Sequence, residues 1–310
     1  MGHEFQFTGT DGLQIHCYHW PSLGATKAIV QISHGMAEHG GRYARFASAL
    51  NGSGYGVYAN DHRGHGKSIP KAQAPGHMAD KDGWNKAVRD MFLLNQEIAK
   101  RHPGVPIILL GHSMGSFLTQ QYMAEYGDSI VAAALSATNG PPGALGKVGQ
   151  AITRLEKLRL GAEGHSAVMA GMTFKAFNKA FKPNRMEFDW LSRDAAEVDK
   201  YVADPLCGFD CSVATWIGML DALTQVAGNS AVSKMNKAMP IYVFSGTADP
   251  VGENTKGVKR LLSVFEAHGF TGVIHKFYDG GRHELLNEIN RDDVTNDFIS
   301  WADAVTHSTN

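Results

Sequence analysis

Short apolar runs alternate with longer amphipathic stretches along most of the chain. Each apolar run leads into a polar or glycine-rich loop, as in KAIVQISHG, GYGVYANDHRG, PIILLGHS, SIVAAALSA, MPIYVFSGTADP and GVIHKFYDGG. Between them, stretches such as RYARFASALNGSG and WNKAVRDMFLLNQEIAKRH carry apolar residues at helical spacing. This alternation predicts an α/β fold, a mostly parallel twisted sheet with helices on both faces. At the start, HEFQFTG and LQIHCYHW flank the Asp-Gly of TDG, which predicts a hairpin.

The strand pattern stops after SATNGPPG and returns only at Met239. Helical patterns fill the interval, including ALGKVGQAITRLEKLRLG and DCSVATWIGMLDALTQVAG, and Asp210 is placed to be the N-cap of the second helix. We therefore predict a core formed by residues 1–140 and 237–310, with residues 141–236 inserted as a helical lid.

Composition and charge exclude several classes of protein. The 310 residues are 43% hydrophobic, which is enough to bury a large core. The formal net charge is −1 and the cations are not clustered, so we expect no nucleic-acid partner. No stretch approaches the ~20 apolar residues that span a bilayer, and the N-terminus lacks a signal-peptide pattern. We expect a soluble, cytoplasmic protein.

The three cysteines are Cys17, Cys207 and Cys211. An odd number in a chain of this length argues against a disulfide framework and favours a reducing compartment. Cys207 and Cys211 have no second Cys or His pair at zinc spacing, so we expect ordinary thiols and no bound metal.

The sequence GHSMG interrupts the apolar run ILLGHSMGSF and places Ser113 between a predicted strand and the helix SFLTQQYMAEYG. The backbones approach closely at such a turn, and the small residues Gly111 and Gly115 allow that approach. The helix directs its N-terminal N–H groups toward the serine, where negative charge develops in acyl transfer. Alone, the pentapeptide is equally compatible with a Gly-Ser turn without chemistry. With its neighbours, it predicts that Ser113 is a nucleophile.

A serine nucleophile needs a base and an acid that orients the base. Asp249 in SGTADP and His283 in GGRHELLNE each follow a predicted strand. Ser113, Asp249 and His283 thus run in the order Ser, Asp, His at carboxyl ends of strands, where open α/β sheets place their sites. We predict that they form a catalytic triad. The alternatives near the same edge are His34, His39, His62, His65 and His112 for the base, and Asp61 and Asp279 for the acid.

Acyl transfer also requires two N–H donors for the oxyanion. Met114, directly after the serine, is placed to supply one. The loop SHGMAEHGGRY follows the third predicted strand, and Met36 in that loop is placed to supply the other.

Taken together, the motifs resemble those of a known family. SHGMAEHGGRY, NDHRGHGKS, LLGHSMGS, SGTADPVG and GGRHELLNE, in this order, resemble the monoacylglycerol lipase and lysophospholipase-like (serine aminopeptidase S33-type) branch of the α/β-hydrolase superfamily. The resemblance extends over residues 5–140 and 237–306, and FDWLSRDAAEVDKYVADPLCGF in the predicted lid is similar to bacterial lysophospholipases. It implies the α/β-hydrolase fold, and these roles: Ser113 nucleophile, Asp249 acid, His283 base, Met36 and Met114 oxyanion donors.

The loop after His34 departs from one subgroup of the superfamily. Its second residue, Met36, replaces the glycine of HGGG-type esterases, so we do not expect esters of bulky tertiary alcohols to be substrates.

Met and aromatic residues are concentrated early in the predicted lid, and such side chains make adaptable walls for an acyl chain. They are also common packing residues, so both interpretations stay open for Met169, Met172, Phe174, Phe177 and Phe181. We take Phe174 and Phe177 as the predicted substrate-binding pair.

The sequence therefore predicts a serine hydrolase that cleaves a single-chain ester, such as a monoacylglycerol or lysophospholipid, through an acyl-enzyme and without a cofactor. A small-molecule ester or lipid is the expected partner, with transient contact between the lid and a membrane surface. Cleavage of an amide or peptide by the same triad is an alternative, as is a ligand-binding protein on a hydrolase fold. The oligomeric state stays open.

Overall fold

The computed structural model of the protein describes residues 2–226 and 229–308. A single sheet has eight strands in the order β1-β2-β4-β3-β5-β6-β7-β8. The pairs β1–β2 and β2–β4 are antiparallel and the other pairs are parallel. This confirms the predicted α/β fold with its N-terminal hairpin. The strands are β1 (His3–Thr8), β2 (Gln14–Trp20), β3 (Ala28–Ser33), β4 (Tyr55–Asn60), β5 (Ile107–His112), β6 (Ala132–Ser136), β7 (Ile241–Gly246) and β8 (Val273–Tyr278).

Helices cover both faces of the sheet. On one face, α1 and α11 pack through residues such as Leu50 and Phe298. On the other, α2, α3 and α10 pack through residues such as Met91, Leu118 and Leu261. The helices are α1 (Ala44–Gly52), α2 (Gly83–Arg101), α3 (Met114–Tyr126), α4 (Ala144–Leu160), α5 (Ala167–Met172), α6 (Phe174–Lys179), α7 (Ala195–Ala203), α8 (Val213–Val226), α9 (Asn229–Val232), α10 (Lys256–Ala267) and α11 (Arg291–Ser308).

The position of each strand explains its sequence pattern. Every residue of β3, β4, β5, β6 and β7 is buried, because helices cover both faces of these central strands. Their sequences are therefore continuous apolar runs. The edge strand β1 instead alternates between exposed and partly buried residues. The parallel strands also bring their carboxyl ends to one edge of the sheet, which carries the site.

Between β6 and β7 the chain forms α4 to α9, in the interval for which helices were expected. The N-cap prediction for α8 was wrong: Ser212 Oγ, and not Asp210, accepts the Thr215 N–H at 3.3 Å. The cause is that α8 begins only at Val213, three residues beyond the predicted cap. Residues 227 and 228, at the end of that predicted helix, lie outside the described residues.

The helix α8 is not separate from the core. Its residues Trp216, Met219 and Ala222 belong to the same buried cluster as α2 and α3. A Cβ on Gly218 of α8 would lie 3.1 Å from the Trp84 Cβ of α2, so the two helices are in close contact. The division into a core of residues 1–140 and 237–310 and a lid of residues 141–236 stays a prediction. None of the helices in the described ranges is long and apolar enough to cross a bilayer.

Candidate active site

Ser113 lies at the turn between β5 and α3 in a backbone conformation that side chains rarely adopt, with φ 51° and ψ −120°. Hydrogen bonds on both sides hold this conformation. The Ser113 N–H donates to the Ser136 carbonyl at 2.9 Å, and the Ser113 carbonyl accepts from the Ser116 N–H at 2.8 Å. The Ser116 hydroxyl donates to the same carbonyl at 2.6 Å. The turn therefore keeps the serine at the edge of the sheet.

The two glycines of GHSMG are required by close backbone contacts. A Cβ on Gly115 would lie 2.0 Å from the Ser33 carbonyl oxygen, and one on Gly111 would lie 2.4 Å from the Gly115 oxygen. Both distances are far below van der Waals contact, so larger residues would separate α3 from the sheet. This is the close approach for which the sequence predicted small residues.

Asp249 and His283 form a buried hydrogen-bonded pair. The Nδ1 atom of His283 lies 2.9 Å from Asp249 Oδ1, and the two side chains are 4% and 0% exposed. The Val251 N–H also donates to Asp249 Oδ1, at 3.0 Å. This bond holds the carboxylate in place just after β7. Because Nδ1 is engaged by Asp249, Nε2 is the ring nitrogen that can take a proton from a second partner.

Ser113 and His283 line one cavity, and Met36 and Met114 line it as well. The structure thus brings the predicted nucleophile, base and oxyanion donors to one cavity, and Asp249 contacts the predicted base. A serine hydroxyl and a buried Asp–His pair on one cavity are the set of groups that serine-based acyl transfer uses. Small-molecule sites generally combine an apolar cavity with a few convergent polar groups in this way.

The pKa values of the two cavity histidines are shifted in opposite directions. Burial opposes the His283 cation, but the charge of Asp249 and its hydrogen bond outweigh burial and raise the pKa of His283 above 6.5. The His112 ring lies 4.9 Å from the His283 ring. Burial, together with the nearby His283 charge, lowers the pKa of His112 to about 4. At neutral pH, His112 is therefore uncharged.

The alternative bases hold loops in place. The Nε2 atom of His34 accepts the His62 N–H at 2.9 Å, and the His62 Nε2 lies 3.0 Å from the Ser33 hydroxyl. His65 is also buried, with Nδ1 3.1 Å from the Arg63 carbonyl. Each of these rings bonds to residues at the ends of β3 and β4 or in the loops that follow them, and none of them bonds to Asp249 in the described chain.

The remaining alternatives are also engaged elsewhere. The Nε2 atom of His39 lies 3.0 Å from Asp204 in the insertion. Asp61 accepts the backbone N–H groups of Gly40 at 2.8 Å and Lys67 at 2.7 Å, so it shapes two loops. Asp279 is exposed and accepts from the Thr247 hydroxyl at 3.3 Å. The neighbouring Arg282 guanidinium donates to the carbonyls of Asp189 and Ser192.

The residues proposed for the acyl pocket divide into two groups. Phe174 and Phe177 line the cavity. Met169 is buried in the main core, Met172 is 43% exposed, and Phe181 lies 4.3 Å below the guanidinium of Arg282. Sequence reasoning missed other wall residues of the cavity: Phe117, Trp190, Leu191, Tyr201, Trp216, Met219, Leu220, Leu223 and Val251. The apolar residues around most of α8 were the available signal, since such a helix is covered on several sides.

A buried ionic network adjoins the catalytic wall and was also missed. The Arg42 guanidinium donates to both oxygens of Glu284 at 2.7 Å and to Glu38 at 2.5 Å. Glu38 in turn accepts the Gly35 N–H at 2.5 Å. Although burial raises carboxyl pKa values, the Arg42 charge keeps the pKa of both acids below the ordinary value. Glu38 and Glu284 line the cavity, so this network joins the loop of Met36 to the loop of His283.

Two groups of side chains in the described ranges have the composition of a metal site, and the one formed by His77, Asp80 and Glu163 is largely exposed. Ligand atoms of His39, Asp204 and Cys207 lie within 4.8 Å of one another. However, the His39 Nδ1 atom is buried and has no hydrogen-bond partner in the described chain. A metal on Nε2 would leave a proton on Nδ1 without the acceptor that metal-bound histidines normally have. The arrangement therefore fits a His–Asp hydrogen bond better than a metal centre.

Comparison with protein families gives one match across most of the chain. The model of the serine aminopeptidase S33 family matches residues 24–290. The monoglyceride lipase of Mus musculus is 30% identical over 300 residues, which cover 94% of this chain and 87% of that protein. The monoacylglycerol lipase of Mycolicibacterium smegmatis is 30% identical over 304 residues, which cover 96% of each chain.

Solved structures share the fold over nearly the whole chain. A thermostable carboxyl esterase from Bacillus coagulans superimposes with a TM-score of 0.90 at 24% identity, covering 98% of this chain and 99% of the esterase. A lipase in its open form superimposes with a TM-score of 0.85 at 26% identity, covering 99% of both chains.

Proposed function

Because this chain belongs to the serine aminopeptidase S33 family of α/β-hydrolases, we propose that it hydrolyses the single ester bond of monoacylglycerols. The chain is a serine ester hydrolase. One observation carries the proposal: Ser113 shares an apolar cavity with His283, which is hydrogen-bonded to the buried Asp249. The relatives named monoglyceride or monoacylglycerol lipase match this chain over nearly its full length and support the substrate class.

The proposed mechanism assigns one role to each residue. His283 takes the proton of Ser113 as the serine oxygen attacks the ester carbonyl, and Asp249 stabilises the imidazolium that forms. The backbone N–H groups of Met36 and Met114 stabilise the oxyanion. His283 then protonates the departing alcohol, which leaves an acyl-enzyme. Water attacks the acyl-enzyme with His283 as base, which releases the fatty acid and restores the serine.

The cavity has features suited to both parts of a monoacylglycerol. Apolar residues such as Phe174, Trp216 and Leu223 form most of its wall and suit one acyl chain. The carboxylates of Glu38 and Glu284 also line the cavity and can accept hydrogen bonds from the glycerol hydroxyls. A triacylglycerol would bring two further chains that have no place in a single narrow cavity.

A matched pair of substrates tests the proposal. We expect the purified protein to hydrolyse 1-monopalmitoylglycerol with a higher kcat/KM than methyl palmitate, which has the same acyl chain without the glycerol hydroxyls. Equal kcat/KM values would show that Glu38 and Glu284 do not recognise the glycerol hydroxyls. Absence of turnover on both substrates would reject the esterase function.

The two alternative functions need separate tests. Hydrolysis of an aminoacyl p-nitroanilide tests amide cleavage. Sustained turnover after an acyl-enzyme burst distinguishes an enzyme from a ligand-binding protein.

We further propose that the insertion contacts a lipid surface through α4. Val148, Leu155 and Leu158 are 50%, 65% and 86% exposed and occupy one side of that helix. Lys147 and Lys157 are exposed on the same helix. An exposed apolar stripe beside cations is typical of helices that lie in a membrane interface.

Vesicle binding tests this second proposal. Leu155→Ser and Leu158→Ser together should weaken co-sedimentation with phosphatidylcholine–phosphatidylglycerol vesicles, while hydrolysis of a water-soluble ester stays unchanged. Leu23→Ser is the matched control, because Leu23 is 75% exposed and lies outside the insertion. Equal vesicle binding by all three proteins would reject the contact.

A further inference from the structure

The loop that carries His283 is held by the inserted segment as well as by the sheet. The Glu284 N–H donates to the Leu191 carbonyl at 2.8 Å, and the His283 N–H donates to the Trp190 carbonyl at 3.4 Å. The Trp190 ring also packs against the His283 ring, with a centroid distance of 4.9 Å. Residues 189–193 therefore run alongside the catalytic loop and touch the base directly.

A single buried carboxylate joins the two segments. Glu288 is 0% exposed, and its Oε1 atom accepts the N–H groups of Arg282 at 2.9 Å and Arg193 at 3.1 Å. Its Oε2 atom accepts the Arg193 Nε–H at 2.8 Å and the Ile289 N–H at 3.0 Å. A buried carboxylate is tolerated when its oxygens accept several charged or backbone donors. Here the donors come from both sides of the contact, and Arg282 immediately precedes His283.

Arg282 connects the same two segments, but here the donor lies on the His283 loop and the acceptors lie in the insertion. Its guanidinium donates to the carbonyls of Asp189 and Ser192, both in the inserted segment. Lifting residues 189–193 would break these bonds together with those of Glu288. It would also uncover the ring of His283.

We propose that Arg193 and Glu288 form a positioning pair that fixes the His283 loop against residues 189–193. This inference rests on the proposed role of His283 as the base. Neither residue lines the catalytic cavity, so the pair acts through the position of the imidazole and not through contact with substrate.

Arg193→Ala is the first test, since the Arg193 side chain is 28% exposed and Glu288 keeps the backbone N–H donors of residues 193, 282 and 289 when the guanidinium is removed. We expect kcat on p-nitrophenyl butyrate to fall by at least about 10-fold with little change in KM, because small misplacement of a catalytic group slows the chemical step. Arg193→Lys should restore most of kcat, since it returns a cation to Glu288. Arg185→Ala is the matched control: it removes another arginine of the insertion, whose ion pair with Asp199 is exposed. It should retain the parental kcat.

A double-mutant cycle shows whether the two residues act together. Glu288→Gln should lower kcat, and adding Arg193→Ala to it should cause little further loss. If the fold-losses in kcat of the two single variants multiply in the double variant, the residues act independently and the pairing is overturned. If Glu288→Gln does not fold, the kcat values of the Arg193 variants test the proposal by themselves. A parental kcat in Arg193→Ala would overturn it.

The proton between His283 Nδ1 and Asp249 provides a readout that a purely stabilising contact would not move. We expect its proton NMR signal to shift or broaden in Arg193→Ala and to match the parent in Arg185→Ala. The other titratable groups around the ring are Glu284, Glu38 and His112, so spectra are compared at one pH. A lower melting temperature with kcat and the signal both unchanged would reject positioning. Full activity of Ser113→Ala would instead reject the proposed triad, a separate failure.

Discussion

Asp249 contacts His283 with one carboxylate oxygen only: Oδ1 lies 2.9 Å from Nδ1, while Oδ2 is buried without a hydrogen-bond partner among the described residues. An unpaired carboxylate oxygen in a buried site is costly in the ground state. The imidazole of His283 is therefore the main group that compensates the charge of Asp249. This arrangement favours the imidazolium that forms when the base takes a proton.

Ser113→Ala should lower ester hydrolysis by at least about 10⁴-fold, because it removes the proposed nucleophile. A fluorophosphonate probe should label the parent protein at Ser113 and should not label the variant. Circular dichroism should show that the fold is retained. Near-parental turnover by Ser113→Ala would place the nucleophile elsewhere.

The strained turn makes a second substitution at this position informative. Ser113 has φ 51°, where a Cβ is unfavourable, so Ser113→Gly should be more stable than Ser113→Ala by about 1–2 kcal/mol. In ordinary backbone the order is reversed, since glycine costs about 0.5–1 kcal/mol relative to alanine. Denaturant unfolding of the two inactive variants measures the difference. If the alanine variant is the more stable one, the turn stores no strain.

Asp249→Asn should lower kcat by about 10³–10⁴-fold, because the amide cannot stabilise the His283 cation and favours the wrong tautomer. Asp279→Asn is the control, since Asp279 is exposed and bonds to the Thr247 hydroxyl. It should change kcat less than about 3-fold. Steady-state kinetics on p-nitrophenyl butyrate compares them, and the opposite ranking would transfer the role of acid to Asp279.

Activity should be lost on the acid side at a pH above 6.5. His283 must be neutral to accept the serine proton, and the pKa of its ring is raised, because Asp249 stabilises the cation more than burial opposes it. As the pH falls through that pKa, the protonated, inactive form accumulates. The pH profile of kcat/KM reports this value for the free enzyme. An acidic midpoint below 6.5 would show that Asp249 does not control the base.

Catalytic efficiency should rise about fourfold for each methylene added to the acyl chain, until the cavity ends, because each buried CH₂ contributes about 0.8 kcal/mol. Phe174→Ala and Phe177→Ala should change this chain-length profile more than the turnover of an acetyl ester. Met172→Ala is the control, because Met172 is close in sequence but 43% exposed. A p-nitrophenyl ester series measures all four proteins. Unchanged profiles in both Phe variants would place the acyl chain elsewhere.

The sequence by itself determined the architecture and the approximate place of the site. Parallel strands covered on both faces must be apolar throughout, so their runs are visible without a structure. The motifs of Met36, Ser113 and Asp249 follow such runs, whereas the motif of His283 follows the partly exposed strand β8. Parallel topology brings the ends of all these strands to one edge. The close backbone approach at Gly111 and Gly115 is equally local, which is why the turn at Ser113 was predictable.

Sequence favoured Asp249 and His283 by their order in the chain, but it could not show which residues at the same edge meet. His34, His62 and His112 follow strands as His283 does, and only the fold shows which ring meets Asp249. A single hydrogen bond of this kind depends on the angles between loops that are far apart in the chain. The N-cap of α8 shows the same limit at short range, because two polar residues were available and packing selected Ser212.

The tertiary structure alone decided how the insertion relates to the core. Helix α8 joins the main core through Trp216, and Arg193 of the insertion meets Glu288 across 95 residues of sequence. In the buried network of Arg42 with Glu38 and Glu284, the pair Arg42–Glu284 is likewise separated by 242 residues of sequence. Such contacts leave no periodic pattern, because each depends on two charged residues that are ordinary in their local sequence. Their burial, and so their effect on His283, exists only once the chain has folded.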